Sequence, residues 1–186
     1  MPAPIPYPTT DERVTLADSD TVVGAKRLRA RSSCASASGK WAWMGLDICI
    51  SRAGGERPER IGSSRDISAF LHKVLNIAAQ QWRERMIVVC LDAGNQPVGV
   101  AVVSTGGLSY AQVDVASVFK PAVLLPASAI IIAHNHPSER PEPSVDDIAL
   151  TRKLREAGTL LGIRVLDHII LTSDPLKYVS FVDTGI

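Results

Sequence analysis

The chain has 186 residues, which is long enough to bury one core and too short for two full domains. Hydrophobic residues make up 46% of it and charged residues 21%, a balance typical of globular proteins that excludes global disorder. Lys and Arg number 20 against 19 Asp and Glu, so the net charge of +1 excludes a general attraction to polyanions or membranes. Any contact with nucleic acid is therefore expected to be local.

Cysteine usage and the lack of targeting signals indicate the compartment. The three cysteines form no C-x-x-C pair and are too few for a disulfide framework, which fits a reducing cytoplasm. They are Cys34, Cys49 and Cys90. The first ten residues have neither a basic segment nor an apolar core, and no apolar run approaches the roughly 18–20 residues that span a bilayer. We therefore expect an unexported, cytoplasmic protein.

The first 62 residues are predicted to form an extension outside the main domain. Residues 1–21 begin with a proline-rich stretch and are predicted to be a flexible arm. Residues 22–62 contain a basic segment, which is either a solvated edge strand followed by a loop or a phosphate-contacting patch. Residues 41–50 read as a buried strand. The basic side chains of the segment are Lys26, Arg27, Arg29 and Arg31.

Hydrophobic periodicity marks the start of the main domain, predicted over residues 63–186. Apolar residues recur at helical spacing over residues 65–81, with Ser63 or Ser64 as the N-cap. The apolar runs 86–92 and 98–104 are separated by turn residues and predict a β-hairpin.

Helices alternate with strands through the second half of the chain. Residues 112–125 are predicted to be helical, although Pro121 must end, kink or displace that helix. Residues 128–134 are wholly apolar up to His134, which suits a strand covered on both faces, and residues 163–172 supply another strand. The fold class predicted is α/β.

His134 and His136 follow the apolar strand and are candidate metal ligands. In an extended chain, residues two apart point to the same face, so both rings can direct a nitrogen at one point beyond the strand end. A lone H-x-H is more often a pair of polar loop residues. The next helix supplies the feature that favours metal binding.

Pro143 and Ser144 are predicted to start a helix that runs through about Ala157 and ends at Gly158. Asp147 falls in its first turn, where the helix dipole favours a carboxylate that can turn back toward the strand end. Two imidazoles and one carboxylate suit zinc with ligand distances of about 2.0–2.2 Å, and they leave the fourth tetrahedral position for water, as in catalytic sites.

A catalytic zinc site needs a base beside the metal, and the sequence nominates Glu84. Glu84 lies just before the strand 86–92, and the prediction is that this strand is a parallel neighbour of strand 128–134, so that the two strand ends meet. The alternative is a surface carboxylate beside Arg83 and Arg85.

These residues resemble a known motif. His134-x-His136, seven residues, Ser144, two residues and Asp147 resemble the JAMM motif of MPN-domain metalloproteases, which selects Asp147 over the adjacent Asp146. The wider string HNHPS…PS-x-x-D…T with LDHIIL is similar to the RadC family, over roughly residues 65–186. The resemblance implies a mixed β-sheet flanked by helices, related in architecture to cytidine deaminases. It also implies that Glu84 acts as general base and that Ser144, besides capping a helix, stabilises an oxyanion.

The sequence departs from the family pattern at three places. Glu139-Arg140 follows HNHPS where the family usually has glycine, and Ala116-Ser117 replaces a basic-acidic pair. We also expect a domain without the N-terminal helix-hairpin-helix region of full-length RadC-like proteins, which weakens a claim of direct DNA binding. Neither substitution removes a predicted metal ligand.

Two functions are therefore considered. The first is a zinc-dependent hydrolase that cleaves a peptide or isopeptide bond of a peptide or protein substrate. The alternative is a non-catalytic metal-binding module associated with DNA repair or recombination machinery, with the basic segment as its local DNA contact. A nucleoside deaminase is excluded because H-x-E followed by P-C-x-x-C is absent.

Two further residues have structural interpretations. His168 lies in an apolar strand, either as a hydrogen-bonded core residue or as a partner of a metal ligand. Cys90 is most simply a buried small hydrophobe.

Overall fold

The computed structural model describes residues 58–80, 82–105 and 113–186. The predicted arm, the basic segment and the strand at 41–50 lie outside these residues. The proposed boundary of the main domain at residue 63 stays a prediction.

Four helices, one short 3-10 helix and five strands make up the described part. The helices are α1 (Ser64–Leu75), α2 (Val115–Leu124), α3 (Val145–Leu161) and α4 (Phe181–Thr184), and the 3-10 helix is Ile77–Gln80. The strands are β1 (Arg85–Leu91), β2 (Pro97–Thr105), β3 (Ala129–Asn135), β4 (Arg164–Leu171) and β5 (Tyr178–Ser180).

The five strands form one mixed sheet in the order β2-β1-β3-β4-β5. β1 and β2 form the predicted antiparallel hairpin, β1 and β3 are antiparallel, β3 and β4 are parallel, and β5 returns antiparallel to β4. The prediction of an α/β fold with a mixed sheet flanked by helices is confirmed.

One predicted strand direction is wrong. β1 does not run parallel to β3; it is antiparallel, with Met86 opposite His134. A parallel neighbour would have placed the start of β1 at the opposite end of the sheet from the histidines. Antiparallel pairing brings Glu84, two residues before Met86, to the end of β3.

Helix ends agree with capping chemistry in part. Ser63 caps α1, but the helix ends at Leu75 because Asn76 adopts the left-handed conformation, with φ of 46°. α3 begins after Ser144 as predicted and continues one turn beyond Ala157, so Gly158 lies inside it. Gly162, with φ of 69°, is its C-cap.

α2 continues through Pro121 to Leu124, with Asp114 as its N-cap. The Asp114 carboxylate accepts hydrogen bonds from the amides of Ala116 and Ser117, the residues that replace the family's charged pair. The Ala116-Ser117 substitution for the family's basic-acidic pair thus lies in the first turn of α2, which Asp114 caps.

The sheet is buried on both faces, as the apolar runs in β1 and β3 predict. α1 packs on one face over Ile87, Val89 and Ile131, while α2 and α3 pack on the other over Val88 and Ile132. Side chains alternate along a strand, so His134 shares the face of Ile132 and points toward α3. None of the described helices has the length and apolar character that crossing a bilayer requires.

Candidate metal centre

Three elements meet at one end of the sheet and bring the predicted site residues together. β3 ends with His134 and Asn135, β1 begins just after Glu84, and α3 carries Asp147 in its first turn. His134 and Asp147 are fully buried, whereas Glu84 and His136 are half-buried.

The two histidines can be combined with either of two carboxylates, Asp147 or Glu84, to give three possible metal ligands. The Nε2 atoms of His134 and His136 lie 2.9 Å apart. Asp147 Oδ1 lies 3.3 Å from His134 Nε2, and Asp147 Oδ2 lies 3.9 Å from His136 Nε2. Glu84 and the two histidines also offer ligand atoms within 4.8 Å of one another. Ligands at about 2.0–2.2 Å around a tetrahedral ion are separated by roughly 3.3–3.6 Å, which these distances approach.

A capping box orients the Asp147 carboxylate. Its Oδ2 accepts hydrogen bonds from the Ser144 amide at 2.8 Å and the Ser144 hydroxyl at 2.6 Å, while the Asp147 amide donates to Ser144 Oγ at 3.1 Å. This is the reciprocal pattern of a capping box, with Asp at the third helical position. Because Oδ2 is occupied in this way, Oδ1 is turned toward His134.

The His136 ring is oriented by its own loop. Its Nδ1 lies 2.6 Å from the backbone oxygen of Arg140, which can only accept, so Nδ1 carries the proton. In the neutral ring Nε2 then bears a lone pair, which faces His134. A backbone carbonyl holding the remote nitrogen of a ligand histidine is a common arrangement in metal sites.

The donor set fits a divalent cation. Asp147 Oδ1 is buried and accepts no hydrogen bond within the described residues. An ionised carboxylate oxygen buried in that way is costly unless a cation compensates it. Oδ1 lies 3.3 Å from His134 Nε2, which is itself 2.9 Å from His136 Nε2. Imidazole nitrogen with carboxylate oxygen is a set that zinc accepts.

Burial governs protonation in the site. It lowers the pKa of His134 well below the usual range, and His136 lowers it further. Burial raises the pKa of Glu84; His136 opposes this shift and the Asp147 carboxylate adds to it. The neutral imidazole of His134 is therefore favoured, and Glu84 retains protons more strongly than a solvated glutamate does.

Asn135 and Thr151 contribute to the site but did not emerge as site residues from the sequence. Asn135 accepts from the Arg85 amide at 2.9 Å and donates to the Arg83 carbonyl at 2.8 Å, so it fixes the backbone on both sides of Glu84. Thr151 lies one turn after Asp147 on α3 and contacts its carbonyl and His168. Asn135 and Thr151 both stand in the string that resembles the RadC family, as the asparagine of HNHPS and the threonine after PS-x-x-D, and that string was the available signal for them.

The substitution Glu139-Arg140 has a local explanation. Glu139 adopts the left-handed conformation, with φ of 59°, which glycine adopts without strain. Its carboxylate accepts from the Ser173 amide at 3.0 Å and hydroxyl at 2.9 Å, and its carbonyl accepts from Lys177 Nζ at 2.7 Å. These bonds join the loop that carries His136 to the β4–β5 loop.

Comparisons with known proteins show which family this chain resembles. The family profile of the RadC-like JAB domain matches residues 61–186. The UPF0758 protein of Pelobacter propionicus is 42% identical over 131 residues, which are 70% of this chain and 55% of that protein. The UPF0758 protein of Syntrophotalea carbinolica is 38% identical over 141 residues, 74% of this chain and 60% of that protein. That of Methanosarcina barkeri is 40% identical over 131 residues, 70% of this chain and 55% of that protein.

The chain spans little more than half the length of these relatives, and their names state no activity. The shared segment contains all of the described helices and strands. The match of profile and relatives over most of the chain establishes that it belongs to the RadC family, as a protein with a RadC-like JAB domain.

Proposed function

We propose that the chain is a zinc-dependent metallohydrolase of the JAMM type that cleaves a peptide or isopeptide bond. The observation that supports this most is the convergence of His134 Nε2, His136 Nε2 and the buried Asp147 Oδ1, with Glu84 beside them. Two imidazoles and one carboxylate are the ligand set of catalytic zinc sites that keep one position open.

Zinc, when bound, would polarise the substrate carbonyl and acidify a coordinated water molecule. Of the two carboxylates, Asp147 is assigned as the ligand because it is buried and held by the capping box. Glu84 is assigned as the base. Its half-buried carboxylate would accept a proton from the attacking water and deliver it to the leaving amine, and its raised pKa favours holding that proton between the two steps.

Ser144 is proposed to stabilise the oxyanion that forms on the substrate. In the structure its hydroxyl donates to Asp147 Oδ2, so this role requires the hydroxyl to turn from Asp147 toward the substrate. Ser144 is exposed, which leaves room for that rotation. The cap would survive it, because the oxygen of the same hydroxyl accepts from the Asp147 amide.

The alternative of a DNA-associated module relies on Lys26, Arg27, Arg29 and Arg31, which lie outside the described residues. It stays a prediction, as do the cytoplasmic location and the peptide or protein substrate. Salt-dependent DNA binding that persists without zinc and disappears when these four side chains are neutralised would favour it over hydrolysis.

Elemental analysis tests the metal site. We expect one zinc per chain in the wild type, and none retained after dialysis in His136→Ala and Asp147→Asn. Asp146→Asn is the matched control: Asp146 is the exposed neighbour of Asp147 on the same helical turn, and this variant should keep its zinc. A folded wild-type protein that takes up no zinc would contradict the proposal.

Glu84→Gln separates the base from the ligands. The variant should bind zinc as the wild type does, while hydrolysis of a confirmed peptide substrate falls by about 10²-fold or more because no group accepts the proton. Wild-type turnover would show that Glu84 is not the base. Loss of zinc from this variant would instead assign Glu84 to the metal.

A further inference from the structure

A chain of buried hydrogen bonds extends behind His134, away from the metal centre. His134 Nδ1 lies 2.8 Å from His168 Nε2, and His168 Nδ1 lies 2.6 Å from Thr151 Oγ1. Thr151 Oγ1 is in turn 2.6 Å from the backbone oxygen of Asp147. His134, His168 and Thr151 are all buried, so solvent does not share these contacts.

The chemistry of its last member fixes the direction of this chain. A backbone oxygen can only accept, so the single hydroxyl proton of Thr151 is donated to Asp147. The Thr151 oxygen must then accept from His168, which places the His168 proton on Nδ1. Neutral His168 is left with a lone pair on Nε2, which accepts the Nδ1 proton of His134.

We propose that His168 and Thr151 are positioning residues that hold His134 in the tautomer with the proton on Nδ1 and the lone pair on Nε2. This inference rests on the proposed zinc site, because Nε2 is the atom that faces His136 and Asp147. The reverse direction would require a second proton on Thr151. It would also place a proton on His134 Nε2, which could then donate to His136 Nε2 across 2.9 Å but could not bind a metal ion.

The hydrogen-bond chain begins and ends at the same centre. Asp147 supplies the carboxylate oxygen that faces His134 Nε2, and its backbone oxygen accepts the last proton of the chain. The first turns of α3 therefore orient both the carboxylate and the buried imidazole. Phe181 packs against the His168 ring, with 4.7 Å between centroids, and limits its rotation.

Nitrogen-15 NMR of the full chain labelled at histidine, without zinc, tests the tautomer directly. We expect the His134 resonances, assigned by their loss in His134→Gln, to show a protonated Nδ1 and an unprotonated Nε2. Thr151→Val removes the acceptor for His168 with little change in shape. His168 can then move its proton to Nε2, and a population of His134 protonated on Nε2 should appear.

Thr151→Ser is the matched control because it keeps the hydroxyl. Its spectrum should resemble that of the wild type. A wild-type His134 protonated on Nε2, or a Thr151→Val spectrum with unchanged tautomers, would overturn the inference.

Zinc affinity, measured by competition with a chelator, provides the second readout. Thr151→Val and His168→Leu should bind zinc about 10- to 100-fold more weakly than the wild type, and Thr151→Ser within about threefold of it. If His168→Leu does not fold, the test relies on the zinc affinities of Thr151→Val and Thr151→Ser and on the NMR spectra. Folded variants with wild-type affinity would overturn the positioning role.

The two proposals can fail separately. A wild-type protein that binds no zinc would contradict the proposed metallohydrolase function. The zinc-free spectra would still show the direction of the hydrogen-bond chain. If the wild type binds zinc and Thr151→Val binds it with equal affinity, only the positioning role is contradicted.

Discussion

Glu139 shows how one residue can stand where a glycine is expected. A side chain at positive φ costs about 1 kcal/mol or more relative to glycine. At φ of 59° Glu139 bears this cost, and hydrogen bonds from Ser173 and Lys177 offset it. Bonds to a partly exposed carboxylate contribute roughly 1 kcal/mol in total after solvent screening.

Replacements at Glu139 separate these two contributions. Glu139→Ala keeps the backbone strain and loses the carboxylate, so we expect it to unfold in urea with a free energy about 1 kcal/mol below the wild type. Glu139→Gly loses the carboxylate but relieves the strain, and should lie within about 0.5 kcal/mol of the wild type. Equal destabilisation of both variants would show that the left-handed backbone is unstrained.

The proximity of the candidate ligands was predictable because their spacing in sequence is short. His134 and His136 are two positions apart in an extended chain, and the cap at Ser144 places Asp147 within one turn of it. The partners of Asn135 and His168 were not predictable. They depend on the register between strands, in which Met86 and Ile170 flank His134 across the sheet.

At the scale of elements, local chemistry located the strands and the starts of helices but not strand direction or every helix end. A β-hairpin fixes only how its two strands relate, so the antiparallel orientation of β1 to β3 follows from the fold. Gly158 resembles a helix end in sequence, yet α3 passes through it, because glycine there allows a close approach to the turn before β4.

Gly158→Ala tests that approach. A Cβ at Gly158 would lie 2.5 Å from the backbone oxygen of Ile163 and 3.2 Å from Val165 Cγ2. Helix propensity alone predicts that alanine stabilises α3 by about 1 kcal/mol. We expect overpacking to prevail, with a net loss of about 1–3 kcal/mol in the free energy of unfolding.

Gly162→Ala is the comparison for this variant. A Cβ at Gly162 meets open space, so the only cost is that of positive φ, about 1 kcal/mol. In thermal or urea unfolding, Gly158→Ala should have a lower free energy of unfolding than Gly162→Ala. A Gly158→Ala protein more stable than the wild type would mean that α3 and the following turn separate easily.

At the scale of the whole molecule, the sheet and the candidate metal centre share β1. β1 lies between β2 and β3, is buried along its whole length, and starts beside Glu84. Apolar runs identified this core from sequence. The order of strands did not follow from them, because a run buried on both faces can occupy any interior position of a sheet.

Cys90, in the middle of β1, can report on the opening of this structure. Its side chain is fully buried, and burial raises the pKa of its thiol to about 12, so it does not react as thiolate in the folded sheet. In a Cys34→Ser, Cys49→Ser background, we expect a disulfide reagent at pH 8 to label Cys90 at least about 10³-fold more slowly in buffer than in urea.

Zinc should slow this labelling further if it binds only the folded chain. At a free concentration 100 times the dissociation constant, the open population falls by about 100-fold, equivalent to about 2.7 kcal/mol. The same background carrying Asp147→Asn separates this effect from zinc binding to the thiol itself, because its labelling rate should not respond to zinc. If zinc slows the labelling equally with and without Asp147, the metal binds elsewhere. Zinc at the proposed centre would then not be what stabilises the sheet.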